Sequence, residues 1–449
     1  MTKRAACCAG LLLAVVGVVC ADEKVMLREE LQAGDTWSVT IKFDAKGNQN
    51  APAGDKATPL PFAAQGQFAY EEKVMPIEPE AKELAGRTVR FYTQASLESS
   101  VRDSRTTRTL REAVRVVVNE IRGGRPFLFS PSGPLTVEEF DMLQGEAPMN
   151  TLLVGQLLSP ELVAPGDAWK PADAVVAALL NLDAITTNAV EVKLAEVKDA
   201  TARFEIGGKI EGQVSGATTK QALTGQIVFD RARKKIARIE LTRDDDRGRG
   251  PVSHALKAQS SLTIERSFDA VAHVNSEAVA NLPLAANAAT EQLVYTQTDG
   301  QYRFHFPRGW AVLLNNPRVT LMRLLHNGDS IAQCNILAAP TVVAGSHMDP
   351  AEFRKQVQQA LGQQFQKFIQ EGEVPAAKGH WVYRLAAVGQ SGDLPIVWYY
   401  YIAASPQGQQ LVFIFQLDAR RVDQFGPQDL AVIGSLEFEP AKTATNRKE

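Results

Sequence analysis

From residue 37 to 43 apolar and polar side chains alternate, with Trp37, Val39, Ile41 and Phe43 set against Ser38, Thr40 and Lys42. That period of two predicts a half-buried strand. The run 87–97 has the same character, Val89, Phe91 and Thr93 alternating with Thr88, Arg90 and Tyr92. Between these runs the Gly-, Pro-, Ala- and Asn-rich stretch 47–61 reads as a long loop. Leu110, Val114, Val117 and Ile121 have helical spacing, but Val116, Val117 and Val118 are β-branched. Gly123-Gly124 and then Phe127 to Phe129 follow, so 110–129 reads as a hairpin. Thr136 with Glu139 forms a capping box that starts a short helix over 136–143, and a second helix is expected over 150–158. Strand-like runs at 188–197, 201–213, 219–230, 234–243 and 255–267 then suggest a meander. The signature Gly34-Asp35-Thr36-Trp37 recurs as Gly166-Asp167-Ala168-Trp169. The flanking residues do not match, which favours two similar strand openings over two related halves.

Residues 268–292 are Ala-rich and aperiodic and read as a linker. Beyond Leu293 the pattern changes. Tyr302, Phe304 and Phe306 alternate with Arg303 and His305. Asn327-Gly328 joins two strands at 319–325 and 331–337, a strong hairpin signal. Asp349, Pro350 and Glu352 open a helix whose apolar stripe is Phe353, Val357, Ala360, Leu361, Phe365, Phe368 and Ile369, with Gly372 as its stop. Strands at 381–389, 394–404 and 409–417, a short helix at 426–434 and a strand at 435–439 complete the pattern. The expected fold class is α+β, as two sheet-rich domains with mainly antiparallel strands. The expected division is a signal peptide (1–21), a β-rich domain (22–267), the linker (268–292), a second domain (293–440) and a disordered tail (441–449).

The first 21 residues carry a charged start, Lys3 and Arg4, an apolar run from Ala5 to Val19, and small residues before Asp22. This is the pattern of a secretory signal cleaved between Ala21 and Asp22. Val18-Val19 before Cys20 suits a lipoprotein signal poorly, although lipidation of Cys20 stays open as an alternative. The apolar run is short for an anchor, which needs about 20 residues. No other segment approaches a membrane span. Of the four cysteines, Cys7, Cys8 and Cys20 lie in the signal, leaving Cys334 without an internal disulfide partner. Cys334 alternates with Ala332, Ile336 and Ala338, an apolar sheet face on which a thiol is inert. Hydrophobic residues make up 45% and charged residues 22% of the chain, within the range of folded globular proteins, and the formal net charge of −3 argues against a nucleic-acid binder.

Catalytic signatures are missing. There is no His-Glu-x-x-His, no phosphate-binding Gly-x-x-x-x-Gly-Lys and no Gly-x-Gly-x-x-Gly. Gly389-Gln390-Ser391-Gly392 stops short of a nucleophile elbow because Asp393 follows. Asp244-Asp245-Asp246 lacks calcium-loop spacing and, flanked by Arg243, Arg247 and Arg249, reads as a charge-balanced turn. No cofactor or metal is expected. The candidates for a ligand or partner surface are Arg303 and His305 on one strand face, the aromatic run Trp398, Tyr399, Tyr400 and Tyr401, and the basic residues Arg108, Arg111 and Arg115. For each of them packing or solvation is the plainer reading.

The motif Phe-x-Phe-Pro-x-Gly-Trp, here Phe304 to Trp310, and the order of elements after it resemble the PsbP/DcrB-like α/β sandwich family over about 295–440. The resemblance implies an exported, non-enzymatic protein acting in the assembly or stabilisation of larger complexes, and it transfers no ligand site. The first region, with Phe-Ser-Pro-x-Gly-Pro-Leu-Thr at Phe129 to Thr136 and Gly-Asp-x-Trp at Gly166 to Trp169, is similar to a class of exported bacterial proteins. The expected function is a non-catalytic binding or assembly and stabilisation protein of the cell envelope, periplasmic or extracellular, without a membrane span after processing and without nucleic acid. Its partner would be an envelope protein or an apolar ligand. A carrier of an apolar or lipid ligand and a hydrolase with dispersed catalytic residues are the alternatives. N-terminal sequencing of the protein expressed in a bacterium should return Asp22 as the first residue; Met1 or a blocked, lipid-modified Cys20 would refute the cleavage reading.

Overall fold

The computed structural model describes residues 24–51, 58–76, 84–146, 151–299, 301–375 and 379–439. The expected signal peptide, its cleavage point at Ala21 and Asp22, and the tail 441–449 lie outside them. Strands account for 56% of the described residues and helices for 15%, with large antiparallel sheets. The α+β expectation is therefore corrected to a β-rich fold.

Two misread segments account for part of that correction. The stretch 47–61 is not one loop. Strand Thr36–Ala51 runs through it and pairs with Thr58–Val74 as far as Ala51 opposite Thr58. The helix expected to reach Gly372 is Pro350–Leu361 only, and Phe365–Glu373 is an edge strand. Phe365 and Phe368 lie three apart, a helical interval. Register slips at Phe365/Lys367 and Phe368/Gln370 bring their rings within 4.7 Å of each other on the strand, so bulges imitate the helical spacing.

The largest sheet has thirteen strands. Its order is Arg125–Phe129, Val116–Arg122, Leu84–Val101, Thr58–Val74, Thr36–Ala51, Ala255–Ser267, Lys235–Arg247, Ala217–Asp230, Thr201–Val214, Glu191–Val197 and Ala168–Trp169. Ser104–Thr109 pairs beside Leu84–Val101, and Ala184–Asn188 beside Thr201–Val214. The sheet is thus two meanders joined where Thr36–Ala51 meets Ala255–Ser267. Each meander opens on the same turn. Gly34 and Gly166 have φ of +96° and +98°, and Asp35 and Asp167 each accept the amide three residues back, Gln32 or Ala164, on Oδ2 at 2.9 Å. Each glycine amide then donates to the pairing strand, at Val74 O or Leu194 O, and that residue donates back to the aspartate carbonyl.

Helix Asp173–Leu180 fills the interior of this sheet. Its Leu179 and Leu180 meet Phe43, Leu223, Leu241 and Leu262 around a void of about 20 Å³. The short helix Val137–Asp141 carries the expected capping box, with Thr136 Oγ1 accepting from Glu139 N and Glu139 Oε2 accepting from Thr136 N. Residues 268–292 pack as a strap: Val274 and Val279 are buried against Val89, Val118 and Phe129.

The second large sheet has the order Trp310–Asn315, Val319–His326, Asp329–Ala339, Gln410–Asp418, Leu394–Ala404, Trp381–Ser391 and Phe365–Glu373. Helix Pro350–Leu361 covers one face through Phe353, Val357 and Leu361. The other face, with Cys334, Ile336, Phe413 and Phe415, joins the core that continues into the thirteen-stranded sheet. Burial pushes the Cys334 thiol up, which keeps it protonated. A four-stranded sheet bridges the regions, because Leu135–Thr136 pairs in parallel with Gln292–Thr296.

Two hairpin tips also meet. Ser215-Gly216 and Asn327-Gly328 are both left-handed turns, with φ of +49°, +77°, +51° and +83°. A Cβ on Gly216 would lie 2.1 Å from Gly328 O. Beside this contact Arg323 donates to the Pro251 carbonyl. Gly216→Val should therefore cost about 2 kcal/mol or more in urea unfolding, from φ strain and the lost contact. Gly434→Ala, in open space on a helix, should be neutral or slightly stabilising. Equal stability of the two variants would contradict a docked hairpin pair.

Candidate functional site

The candidates named from sequence do not converge. Arg303 is taken up by Glu437 at 2.6 Å and Glu439 at 3.1 Å. The His305 backbone exchanges hydrogen bonds with the Ser435 hydroxyl. Trp398 and Tyr400 pack under helix Pro350–Leu361. Tyr399 and Tyr401 point the other way, where Tyr399 stacks on Phe425 and Tyr401 donates to Asp429 at 2.5 Å. These aromatics make core rather than a cleft. The basic residues are largely paired: Arg111 grips Glu139, and Arg115 lies 3.4 Å from Glu112, while Arg108 is half-buried on strand Ser104–Thr109. Asp244, Asp245 and Asp246 belong to strand Lys235–Arg247 and not to a turn. Asp245 is buried, accepting from Thr219 at 2.5 Å and pairing with Arg247, and Asp246 pairs with Lys257.

A different place gathers polar chemistry. Strand Arg125–Phe129, the last at one end of the thirteen-stranded sheet, and strand Ala184–Asn188, an edge strand beside Thr201–Val214 near the other end, line one cavity of about 430 Å³. The sheet therefore curls until its ends face each other across a seam. One hydrogen bond spans it, from Arg125 Nη2 to the Asp183 carbonyl at 3.3 Å. The floor is the alanine face of helix Asp173–Leu180, namely Ala174, Ala177 and Ala178. Arg90, Asn119 and Gln144 bring polar groups to the wall. Gln144 Oε1 is buried without a hydrogen-bond partner among the described residues. Among the described residues the lining contains Arg, Asn, Gln and Asp but no histidine, cysteine or serine.

Behind this wall lies a buried charge network. Glu72 is fully buried. It accepts from Arg90 Nε at 2.8 Å, Thr88 Oγ1 at 2.7 Å and Trp37 Nε1 at 2.9 Å. The Arg90 guanidinium lies 4.8 Å from the Tyr70 ring centre and reaches Thr151 Oγ1 at 3.4 Å. Thr151 links to a second pair: its carbonyl accepts from Arg266 Nη2 at 3.1 Å, and Arg266 is paired with Glu29, both side chains 1% exposed. Burial by itself would raise the Glu72 carboxyl, but the Arg90 charge and the hydrogen-bond donors outweigh it and hold the group below the usual carboxylate range.

Sequence reasoning missed both the seam and the network. Helix Asp173–Leu180 had a readable signal, an acid at its start and Asn181 at its left-handed end (φ +53°). The Glu72–Arg90 pairing had none, because strand neighbours 18 residues apart are set by register.

No family model matches the chain, and no curated protein matches it. Among solved structures, the cyanobacterial PsbP of Synechocystis is 18% identical over 34% of this chain and 97% of its own, with a TM-score of 0.27. That is a weak structural resemblance. A lipovitellin structure is 9% identical over 58% of this chain and 27% of that one, at a TM-score of 0.29. A BenF-like porin from Pseudomonas fluorescens is 9% identical over 86% and 99% of the two chains, at 0.12. Scores this low leave the functional argument to the geometry.

A depressed Glu72 contributes stability that is present above its ordinary pKa of 4.5 and is lost as the pH falls below it. Glu72→Gln strands Arg90 in a buried site, so it should cost about 3–5 kcal/mol at pH 7 and flatten the acid limb of a stability–pH curve. An unchanged acid limb would show that this carboxylate is not ionised in the folded protein.

Proposed function

We propose that this chain is a non-catalytic binding protein of the cell envelope and that its site is the seam cavity. The observation that carries the proposal is the cavity of about 430 Å³ held between two strand ends, with alanines below and Arg90, Asn119 and Gln144 at the wall. That volume is in the range of small-ligand sites, and the mixture of apolar floor and few polar groups is typical of them. Among the described residues the lining offers no serine, cysteine or histidine, and its carboxylates Asp173 and Asp183 have no such partner there, which supports binding over the hydrolase alternative. Around Leu179 and Leu180 the helix leaves a void of only about 20 Å³ against the sheet, which offers a lipid no apolar hollow at that point.

The finer parts of the proposal rest on sequence. The pattern of residues 1–21 supports export to the periplasm or beyond. The Phe304 to Trp310 motif, with one helix and a three-strand meander after it, supports a PsbP/DcrB-like C-terminal part serving assembly or stabilisation of a complex.

Ala177→Trp fills the cavity from its floor. The mature wild-type protein, incubated with an envelope extract and examined by native mass spectrometry, should retain a bound species that the Trp variant loses while its circular dichroism is unchanged. Retention of the same species by both proteins, or by neither, would remove the seam as the binding site.

A further inference from the structure

The seam is bounded by backbone as well as by side chains, and this specifies the ligand further. Strand Arg125–Phe129 is the last strand at its end of the sheet and, among the described residues, pairs only with Val116–Arg122. Gly123 and Gly124, with φ of +54° and +78°, form a two-residue turn, so the closing pair Arg122 and Arg125 is hydrogen-bonded. Alternation then makes Glu120 and Phe127 the next bonded pair. The N–H and C=O of Leu128 and the C=O of Pro126 consequently face away from the sheet, toward the seam. Both residues line the cavity. Across it, Ala184–Asn188 pairs with Thr201–Val214 on one side only among the described residues.

Two one-sided strands facing a common cleft leave the pattern of a sheet that lacks a strand. The Asp183 carbonyl, at the start of the far edge, accepts its hydrogen bond from an arginine side chain reaching across, where a strand amide would otherwise serve. Gln144 Oε1 is a buried acceptor with no hydrogen-bond donor among the described residues. The charges at the mouth are mixed, with Arg125 near Asp173 and Asp183, so the lining does not select a strongly charged ligand. The floor is alanine, which leaves room for side chains from above.

Resting on the binding reading above, we propose that the ligand is an extended polypeptide segment that enters the seam as an added strand. It would donate to and accept from Leu128, displace Arg125 from the Asp183 carbonyl, and set alternate side chains on the alanine face of helix Asp173–Leu180. Edge pairing supplies affinity that does not depend on sequence, while the small floor selects which side chains fit.

The test uses the mature protein and a pool of randomised peptides of about ten residues, long enough to span an edge strand. Wild type should enrich peptides that Ala177→Trp does not. An enriched peptide resynthesised with N-methyl groups on alternate amides, in each of the two phases, should bind about tenfold or more weakly in at least one phase by fluorescence anisotropy. Hydrogen exchange at the Leu128 amide should slow when the unmodified peptide is bound. If no peptide is enriched over the Trp variant, or if both methylated forms bind as well as the parent, strand addition is wrong. Should the extract experiment still show a small molecule lost in Ala177→Trp, the binding reading stands without this ligand; if both experiments are blank, both fall.

Discussion

The protein depends on one buried electrostatic constraint, the pairing of Glu72 with Arg90 and, through Thr151, of Glu29 with Arg266. These side chains come from the N-terminal segment, two strands of the first meander, the helical insertion and the last strand of the second meander. A charge at zero to three per cent exposure has no water to fall back on, so each element must arrive in register or leave an ion unpaired. Breaking such a pair costs about 3–5 kcal/mol, against a total stability of about 5–15 kcal/mol for a typical domain. Apolar contacts are non-directional and would tolerate a slipped strand better. The ion pairs do not, and they set how Leu84–Val101 and Ala255–Ser267 are brought around Trp37, whose indole donates to Glu72 and lies 5.1 Å below the Arg266 guanidinium.

The thirteen-stranded sheet is left without a last ladder of backbone bonds between its two edges. The ladder between Arg125–Phe129 and Ala184–Asn188 is never made. Open edges invite unwanted pairing, and proteins restrain them with prolines, charges and short strands. Pro126 and Arg125 sit on this edge, and it is five residues long. The edge is thus guarded against long β-association while a cavity is preserved behind it. Phe127, on the same strand, is held between the guanidiniums of Arg122 and Arg308 at 3.8 and 4.2 Å, which fastens the edge to the C-terminal half. Burial pushes Arg308 down to about 10, still a cation at neutral pH.

Much of the fold was legible where a local rule decides the structure. The alternation at Trp37 to Phe43, the Thr136–Glu139 box and the Asn327-Gly328 turn all rest on contacts within a few residues, and each is present as read. Where tertiary register decides, sequence misled. Phe365 and Phe368 looked helical because bulges mimic a helical interval, and 47–61 looked like one loop although its flanks are held by neighbouring strands at Gly47 opposite Phe62 and Ala258. The site was the least legible part. The aromatic run Trp398 to Tyr401 attracted attention by density, yet density in a central strand reports packing on two faces. The residues that line the seam are alanines, glycines, a few larger apolar side chains and ordinary polar groups, brought together by the curl of the sheet.

The repeated Gly-Asp-x-Trp signature shows how one local device reaches different outcomes in different chain contexts. Both copies form the same turn with the same hydrogen bonds, so the turn is self-sufficient and needs no repeated domain around it. After Trp37 the chain runs on as a strand to Ala51. After Trp169 the strand stops at once, because Pro171 has no amide to continue the ladder and Asp173 begins a helix. That helix drops into the interior, its leucines fill the core and its alanines become the floor of the cavity. A second long strand at this point would extend the sheet across the seam. The early end of one strand therefore separates a closed β-structure from one with a place for a ligand.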